Sequence, residues 1–188
     1  MQDFLGDVFE LPVMPPAVIC VGKFDAVHLG HQELLRQAKA KAASYSLPLS
    51  VMCFFPHPAT LFTNNPPLSL TNVQQRVELL KLYGADCVIC LDFNCNLANL
   101  SASSFMQQIL LDKLQAKVVV VGKDFRFGKA RLGGVNELSL WGKKEAVEVV
   151  VAQDVMYKNK RVSTSWCREV VDDSVLLSKL LGRSKLIK

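Results

Sequence analysis

The residues of this sequence best suited to chemistry are two closely spaced histidines, His28 and His31, with Gly30 between them. They follow the apolar run Ala17–Val21 and a turn at Gly22, and an amphipathic segment follows them. A strand, a glycine turn and a helix in this order present backbone N–H groups and the positive end of a helix to phosphate. Two imidazoles at the start of such a helix predict chemistry on a phosphate group. Because no lysine of the P-loop type occupies the turn, the sequence disfavours a Walker A site.

The elements that must position these histidines alternate between short apolar runs and helical patterns. Five strands are predicted, at residues 17–22, 49–54, 86–91, 117–121 and 146–151. This alternation is typical of an α/β fold with a Rossmann-like, doubly wound parallel sheet of about five strands. Since ligands of such sheets bind beyond the carboxyl ends of the strands, the segments after the first, second and fourth strands should meet at one edge.

Apolar spacing and capping residues predict three of the helices. The residues after His31 that share one helix face are Leu34, Leu35, Ala38, Ala42 and Tyr45. Thr71 and Gln74 resemble a capping box, and the apolar residues that follow it are Val73, Val77, Leu80 and Leu82. Ser101 is the predicted cap of a helix that buries Phe105, Ile109 and Leu110.

Three segments interrupt the alternation. Residues 56–67 form a long proline-rich loop, residues 123–134 a glycine-rich basic loop, and residues 155–162 a predicted small hairpin insertion. Long loops in compact domains are often functional, so these segments are candidates for ligand binding.

Composition fits one domain over residues 1–188, with 50% hydrophobic and 21% charged residues. The net charge is +5, and a local anion site is predicted where basic residues cluster, at Lys123, Arg126, Lys129 and Arg131. We expect no nucleic-acid partner, because no basic helix or known nucleic-acid motif is present. No apolar run is long enough to span a membrane, and the first ten residues have the wrong charge for a targeting peptide. We therefore expect a cytoplasmic location.

The six cysteines predict neither disulfides nor a structural metal cluster. Cys87 and Cys90 have CxxC spacing, but on a strand they would point to opposite faces and lie roughly 10 Å apart. That separation is too large for a disulfide, and cysteines in apolar runs are better interpreted as buried free thiols.

Several motifs connect the sequence to a known family. Residues 22–31 resemble the pattern G-x-F-D-G-x-H-x-G-H, residues 54–58 resemble F-x-P-H-P, residues 121–128 resemble V-G-x-[DN]-F-x-F-G, and residues 180–183 read L-L-G-R. Residues 94–105 also resemble a segment that ends A-x-L-S-x-x-x-F. In this order the sequence is similar to the FMN adenylyltransferase (FAD synthetase) module of the bacterial bifunctional riboflavin kinase/FAD synthetases, within the nucleotidyltransferase superfamily.

The resemblance implies the nucleotidyltransferase fold and the transfer of AMP from ATP to FMN, which forms FAD and releases pyrophosphate, with Mg²⁺ as cofactor. The implied catalytic residues are His28, His31 and Arg168. The residues implied to bind the nucleotide are Gly22, Phe24, Asp25, Gly30, Ser163, Thr164 and Ser165. Those implied to bind the flavin are Pro56, His57, Pro58, Phe62, Asp124 and Phe127, with Phe105 or Met106 completing the pocket. No metal ligands are implied.

Two positions near the histidines leave questions open. Asp25 is equally suited to orienting a histidine or a metal ion and to closing the turn. Ala26 stands where the family pattern has glycine. If that position needs a positive φ, alanine costs on the order of 1 kcal/mol there.

After Ala26, a second departure from the family pattern lies in residues 163–168, which read S-T-S-W-C-R where the family has S-S-T-x-I-R. We expect the phosphate contact to persist through the hydroxyls and Arg168. Because Trp166 and Arg168 are two positions apart on a helix, we expect Trp166 to pack outside the phosphate site and to tolerate replacement by arginine.

The third departure is that the sequence continues into no riboflavin kinase domain. We therefore expect the chain to make FAD from FMN and not to phosphorylate riboflavin. Two alternatives remain open: a nucleotidyltransferase for another phosphorylated acceptor, and a flavin- or nucleotide-binding module with weakened catalysis.

Overall fold

The computed structural model describes residues 2–184, and its centre is a six-stranded parallel sheet. The strands of the chain are β1 (Phe4–Gly6), β2 (Ala17–Val21), β3 (Leu49–Phe55), β4 (Cys87–Asp92), β5 (Ala116–Gly122), β6 (Arg126–Phe127), β7 (Gly133–Gly134), β8 (Glu148–Ala152), β9 (Met156–Tyr157) and β10 (Lys160–Arg161). The order in the large sheet is β1-β4-β3-β2-β5-β8, and every neighbouring pair is parallel. Two antiparallel pairs, β6–β7 and β9–β10, lie outside it.

Helices connect the strands and cover both faces of the sheet. They are α1 (Leu29–Tyr45), α2 (Val73–Leu82), α3 (Cys95–Asn99), α4 (Ala102–Ser104), α5 (Val135–Lys144), α6 (Thr164–Glu169) and α7 (Ser174–Leu181). A π-helix, Phe105–Lys113, continues α4, and single 3₁₀ turns occupy Asp25–Val27, Pro58–Leu61 and Lys129–Arg131. No helix within residues 2–184 combines the length and apolarity that crossing a bilayer requires.

The sheet separates two apolar layers, which confirms the predicted doubly wound α/β fold. Successive residues of β2 alternate between the layers: Val18 packs with buried residues of α1 and α2, and Ile19 packs with the π-helix and α5. Cys87 and Cys90 likewise lie in opposite layers, as predicted, and all six cysteines are free. All five predicted strands are present within two residues of their expected ends. The sixth strand of the sheet, β1, is only three residues long and gave no apolar run to detect.

The helix predictions need three corrections. Tyr45 does not belong to the buried face of α1, because its ring is exposed and its hydroxyl donates to Glu148 (2.8 Å). The capping box of α2 is formed by Asn72 and Gln75, one residue later than predicted. Leu82 is 72% exposed, and Leu79 occupies the buried face instead. The helix predicted after Ser101 is confirmed, with its expected apolar residues buried.

The hairpin predicted at residues 155–162 is confirmed as the antiparallel pair β9–β10. Its turn residues, Lys158 and Asn159, both have positive φ, as type I′ turns require. Val162, directly after the hairpin, belongs to a small apolar cluster, here called the C-terminal cluster. Its buried members are Ala26, Leu70, Val162, Trp166, Cys167, Leu177, Leu180 and Leu181.

Trp166 is buried in the C-terminal cluster, and this burial argues against the expectation that arginine would be tolerated there. Its side chain is 8% exposed, its ring lies 6.3 Å from that of Tyr157, and the Lys160 ammonium lies 4.8 Å from its centre. A guanidinium in this position would be largely buried and close to the Lys160 ammonium.

We predict that Trp166→Arg lowers the free energy of unfolding by about 3 kcal/mol or more, because it removes a large buried aromatic and buries an unpaired charge. Urea denaturation at pH 7 measures the change. Trp166→Phe, which keeps an apolar ring, serves as the control and should lose less. Equal stability of Trp166→Arg and the unmodified chain would contradict the assignment of Trp166 to the C-terminal cluster.

Candidate active site

The candidate site lies at the carboxyl ends of three neighbouring strands, β3, β2 and β5. The turn at Gly22 follows β2, the proline-rich loop follows β3, and the basic loop follows β5. The sheet order therefore brings together the segments that the sequence predicted to meet.

A left-handed loop carries the polypeptide from β2 to α1. Phe24, Ala26 and Val27 have φ values of 52°, 66° and 43°. Ala26 thus occupies a conformation that favours glycine, at a cost of roughly 1–2 kcal/mol. Its methyl group is fully buried in the C-terminal cluster, and burying one such group contributes about 0.8 kcal/mol. The burial offsets only part of this cost, and the loop adopts its left-handed form with alanine present.

Asp25 closes this loop from one side. Its 2%-exposed carboxylate accepts hydrogen bonds from the backbone N–H groups of Leu70 and Thr71 (3.0 Å each) and from the Thr71 hydroxyl (3.0 Å). The same carboxylate pairs with Arg168 (2.7 Å) and Arg76 (3.5 Å). Of the two roles left open for Asp25, these contacts favour loop closure. They also correct its expected nucleotide contact, because both carboxylate oxygens are buried and engaged.

Arg76 is a buried cation that the sequence analysis missed. Its side chain donates to the Phe54 carbonyl (2.9 Å) and lies over the Phe55 ring, at 5.6 Å from the ring centre. It therefore ties the end of β3 to Asp25 on the neighbouring loop. Its burial could have been predicted from its position on the apolar stripe of α2, three residues after Val73 and four before Leu80.

Arg168 lies near the site, on a different face of α6 from Trp166. Besides its ion pair with Asp25, its Nε donates to the Leu68 carbonyl (2.6 Å). At the start of α6, the Ser163 hydroxyl accepts from the Trp166 N–H (3.2 Å) and caps the helix. Thr164 and Ser165 occupy the first turn, and Ser165 is exposed.

The two histidines of the central motif form one stacked unit. His28 caps α1, and its Nδ1 accepts the backbone N–H of His31 (3.4 Å). Since Nδ1 is an acceptor, the proton of neutral His28 resides on Nε2 and is available as a donor. The two rings lie 3.7 Å apart at 18°, and the buried Nδ1 of His31 has no hydrogen-bond partner among residues 2–184.

Phe24 packs against the His31 ring of this pair. Its ring is fully buried and lies 5.1 Å from the His31 ring. The expectation that Phe24 contacts the nucleotide is therefore wrong for its side chain, since no part of the ring is accessible. A Cβ on Gly22 would lie 3.0 Å from this ring, and one on Gly30 would lie 3.1 Å from His28. Both glycines permit close packing around the histidines.

Burial keeps all three histidines neutral at pH 7. Desolvation, followed by the positive charge of Arg161, lowers the pKa of His28 to about 4. Desolvation and then the neighbouring His28 lower the pKa of His31 well below its ordinary value. The pKa of His57 is lowered to about 4 by desolvation and then by Lys23. The site therefore offers neutral imidazole donors rather than imidazolium cations.

Cations around the histidines come from residues that the sequence analysis did not select. Lys23 directly follows the turn, and desolvation with the charges of Arg131 and Arg168 lowers its pKa. Arg161, on β10, pairs with Asp124 (3.0 Å) and Asp154 (2.8 Å). Both residues lie directly after or beside a motif in the sequence. That position alone does not identify a residue as part of the site.

The residues expected to bind flavin separate into two groups. Pro56, His57 and Pro58 lie after β3, with His57 Nδ1 accepting from the Ala59 N–H (3.1 Å), and the Phe62 ring is 72% exposed. Asp124 is also exposed.

Phe127, Phe105 and Met106 instead belong to the buried core, and their contact with a ligand stays a prediction. Two half-buried aromatics, Phe93 and Phe125, lie beside these residues. Phe93 lies 6.3 Å from the Phe62 ring, and Phe125 stacks on Phe127 at 5.3 Å.

The residues present do not form a metal site of their own. Within residues 2–184, no cluster of three or more histidine, cysteine or acidic side chains is arranged to hold a metal ion. Asp25, the carboxylate next to the histidine motif, is already occupied by N–H donors and two guanidinium groups.

Comparison with known proteins places the chain in a family. The sequence profile of the family described as FAD synthetase matches residues 12–166. The chain belongs to the FAD synthetase family. It is 34% identical over 170 residues to a bifunctional riboflavin kinase/FMN adenylyltransferase of Buchnera aphidicola, covering 89% of this chain and 54% of the relative. The Escherichia coli K12 protein of the same description is 34% identical over 168 residues, covering 88% and 54%. The chain thus spans about half the length of these relatives.

Solved structures support the same fold. A protein described as a macrolide-efflux protein from Streptococcus pneumoniae has a TM-score of 0.85 and 27% identity, over 97% of this chain and 60% of the other. Pantothenate synthetase from Thermus thermophilus has a TM-score of 0.54 at 13% identity, over 95% and 71%. At that identity the second likeness concerns the fold alone, and it agrees with a nucleotidyltransferase-like α/β architecture.

The lowered pKa of His28 predicts a pH dependence of stability. The unfolded chain takes up a proton at the ordinary pKa of 6.5, and the folded chain only near pH 4. The stabilisation is therefore complete above pH 6.5 and is lost as the pH falls towards 4, by at most about 1.4 kcal/mol per pH unit. Urea denaturation between pH 7 and pH 4.5 measures this slope.

His28→Asn is the matched variant, because its amide oxygen can still cap α1 while it has no group that titrates in this range. We expect a shallower loss of stability below pH 6.5 than in the unmodified chain. Identical slopes would show that His28 titrates at its ordinary pKa in the folded protein.

Proposed function

We propose that the chain is an FMN adenylyltransferase, which transfers AMP from ATP to FMN and so forms FAD and pyrophosphate. The observation that carries the proposal is the stacked pair of neutral histidines at the start of α1, at the carboxyl edge of the sheet. Membership of the FAD synthetase family supports the choice of FMN as acceptor.

The reaction needs no protein nucleophile. A phosphate oxygen of FMN attacks the α-phosphorus of ATP, the bond to the bridging oxygen breaks, and its electron pair leaves with pyrophosphate. In this proposal His28 donates from Nε2 to the phosphates as charge grows on the leaving group, and the α1 N-terminus adds its positive dipole. Catalysis then consists mainly of positioning and charge stabilisation.

Neutral imidazoles suit this role. A histidine with a pKa of about 4 keeps its donor proton on Nε2 throughout the neutral range, so binding of the triphosphate requires no proton uptake. Positive charge comes instead from Lys23 and Arg161, whose charges reach the histidines. Mg²⁺ would offset part of the negative charge of ATP, held mainly by the phosphate oxygens of ATP itself, because the protein supplies no dedicated ligand cluster among the described residues.

The flavin is proposed to bind beside the loop that follows β3. Phe62 and Phe93 present aromatic edges there, and Pro56 and Pro58 stiffen the segment that carries His57. The phosphate of FMN would then point towards the histidine motif after the neighbouring strand β2. The six free cysteines agree with a reducing cytoplasm as the proposed compartment.

The proposal predicts that the purified chain converts FMN, ATP and Mg²⁺ into FAD and pyrophosphate. Chromatography of the flavins measures the product, and a parallel reaction with riboflavin tests for kinase activity. We expect FAD from FMN and no FMN from riboflavin. Absence of FAD while FMN and ATP both bind would favour a binding module, and turnover of another phosphorylated acceptor in place of FMN would favour the broader nucleotidyltransferase class.

His31→Ala should reduce turnover far more than stability. We propose that the His31 imidazole, stacked on His28, is a second donor to the phosphates. Loss of one donor that acts on the transition state commonly raises the barrier by roughly 3 kcal/mol, or about a hundredfold in rate. FAD formation and urea denaturation are measured on the same preparation. A variant that unfolds, while its remaining folded fraction turns over normally, would identify His31 as a core residue only.

A further inference from the structure

The L-L-G-R segment at residues 180–183 has no role in the proposed mechanism, yet its arginine reaches the loop that carries the histidines. The Arg183 guanidinium donates to the carbonyl oxygens of two consecutive residues, Ala26 and Val27 (3.1 Å to Val27). These are the two residues immediately before His28. The planar guanidinium fork is well suited to two acceptors at fixed spacing.

The loop needs such contacts because its backbone is strained. Three of its residues have positive φ without being glycine, and each would relax towards the right-handed region if its neighbours allowed. Asp25 fixes the side of the loop that faces Leu70 and Thr71. The carbonyl groups of Ala26 and Val27 point the other way, towards the C-terminal helix.

Gln32 reinforces the same connection. Its amide donates to the Val27 carbonyl (2.9 Å) and to the Leu181 carbonyl (2.7 Å), so one side chain of α1 bridges the loop and the end of α7. Gly182 ends α7 with φ of 61°, and a Cβ there would lie 2.7 Å from Leu29. The tight turn places the next residue, Arg183, against the loop.

The attachment of α7 makes this contact firm. Leu177, Leu180 and Leu181 are buried in the C-terminal cluster, which also contains Ala26. The helix therefore cannot move away from the loop without exposing apolar surface, and the guanidinium is held at a defined distance from the two carbonyls.

We propose that Arg183 is a positioning residue of the adenylyl-transfer site, which holds the strained loop so that His28 and His31 face the triphosphate. The assignment of the reaction rests on the proposed function, whereas the effect on histidine geometry does not. Arg183 acts through the Ala26 and Val27 carbonyls and need not touch the substrate.

The test compares Arg183→Met with Lys179→Met, which removes an exposed positive charge from α7, the helix that precedes Arg183. The chain contains only three histidines, so a ¹H–¹³C spectrum of the imidazole Cε1–H groups gives three signals. His57, on the loop after β3, serves as the internal reference. Because the Arg183 charge also acts on His28, Arg183→Lys, which keeps the charge but loses the fork, is measured beside Arg183→Met. We expect the His28 and His31 signals to move in both variants, the His57 signal to stay, and no signal to move in Lys179→Met.

Kinetics provide the second measurement. We expect Arg183→Met to lower kcat for FAD formation at least tenfold with little change in FMN affinity, and Arg183→Lys to recover part of it. If Arg183→Met does not fold, Arg183→Lys carries the same comparison, because it keeps the charge but loses the fork.

Unchanged His28 and His31 signals together with unchanged kcat would overturn the proposal. A shift of all three signals, or a parallel loss of FMN binding and turnover, would show a general structural role and would also overturn it. A chain without any FAD synthesis would refute the proposed function alone, since the histidine signals report positioning independently of activity.

Discussion

The arrangement depends on one buried carboxylate. Asp25 lies in the turn between the central strand and α1, and it gathers backbone N–H groups from Leu70 and Thr71 and the guanidinium groups of Arg76 and Arg168. These partners come from two separate parts of the chain, residues 70–76 and α6. A buried carboxylate is stable only while these donors remain, and removing one partner of such a pair typically costs about 3–5 kcal/mol. The carboxylate therefore fixes the loop, the start of α2 and α6 relative to one another.

The same constraint determines the electrostatics of the site. Because the loop is packed on both sides, the imidazoles that follow it are largely desolvated, and desolvation is the first cause of the lowered pKa of both His28 and His31. Nearby guanidinium groups lower those pKa values further. The result is a site in which lysine and arginine hold the positive charge while the histidines remain neutral donors, a division that suits binding of a highly charged phosphate chain.

Much of this could be predicted from sequence, because the strands and the histidine motif have strong local patterns. Apolar runs gave the five main strands, and the order of β-strands and helices gave the edge at which the loops meet. The three residues of β1 have no such pattern, since an edge strand of this length is defined by its hydrogen bonds to β4. The motifs place Phe24 and Phe127 in the predicted site, and the structure shows that both rings are buried against other residues, which the motifs alone do not indicate.

The contacts made across the fold were beyond sequence reasoning. Arg76 and Arg183 are separated from Asp25 and Val27 by many residues, and nothing in their local sequence specifies those partners. For Trp166, helical spacing predicted that it faces a different direction from Arg168. Its burial is shown only by its packing against Tyr157 and the C-terminal cluster. Ala26 occupies its left-handed conformation because the surrounding contacts outweigh the preference of one residue.

We infer that Asp25 holds the loop in the form that presents the histidines for adenylyl transfer, and Asp25→Asn is the variant that tests this role. The amide nitrogen of asparagine would face N–H donors where the carboxylate now accepts from them. The measurement is FAD formation from FMN and ATP together with FMN binding, with the exposed Asp172→Asn as control. We expect Asp25→Asn to lower the rate of FAD formation at least a hundredfold while the folded variant still binds FMN. Asp172→Asn should form FAD at the rate of the unmodified chain. An undiminished rate of FAD formation by Asp25→Asn would show that Asp25 does not hold the histidine loop in its active form.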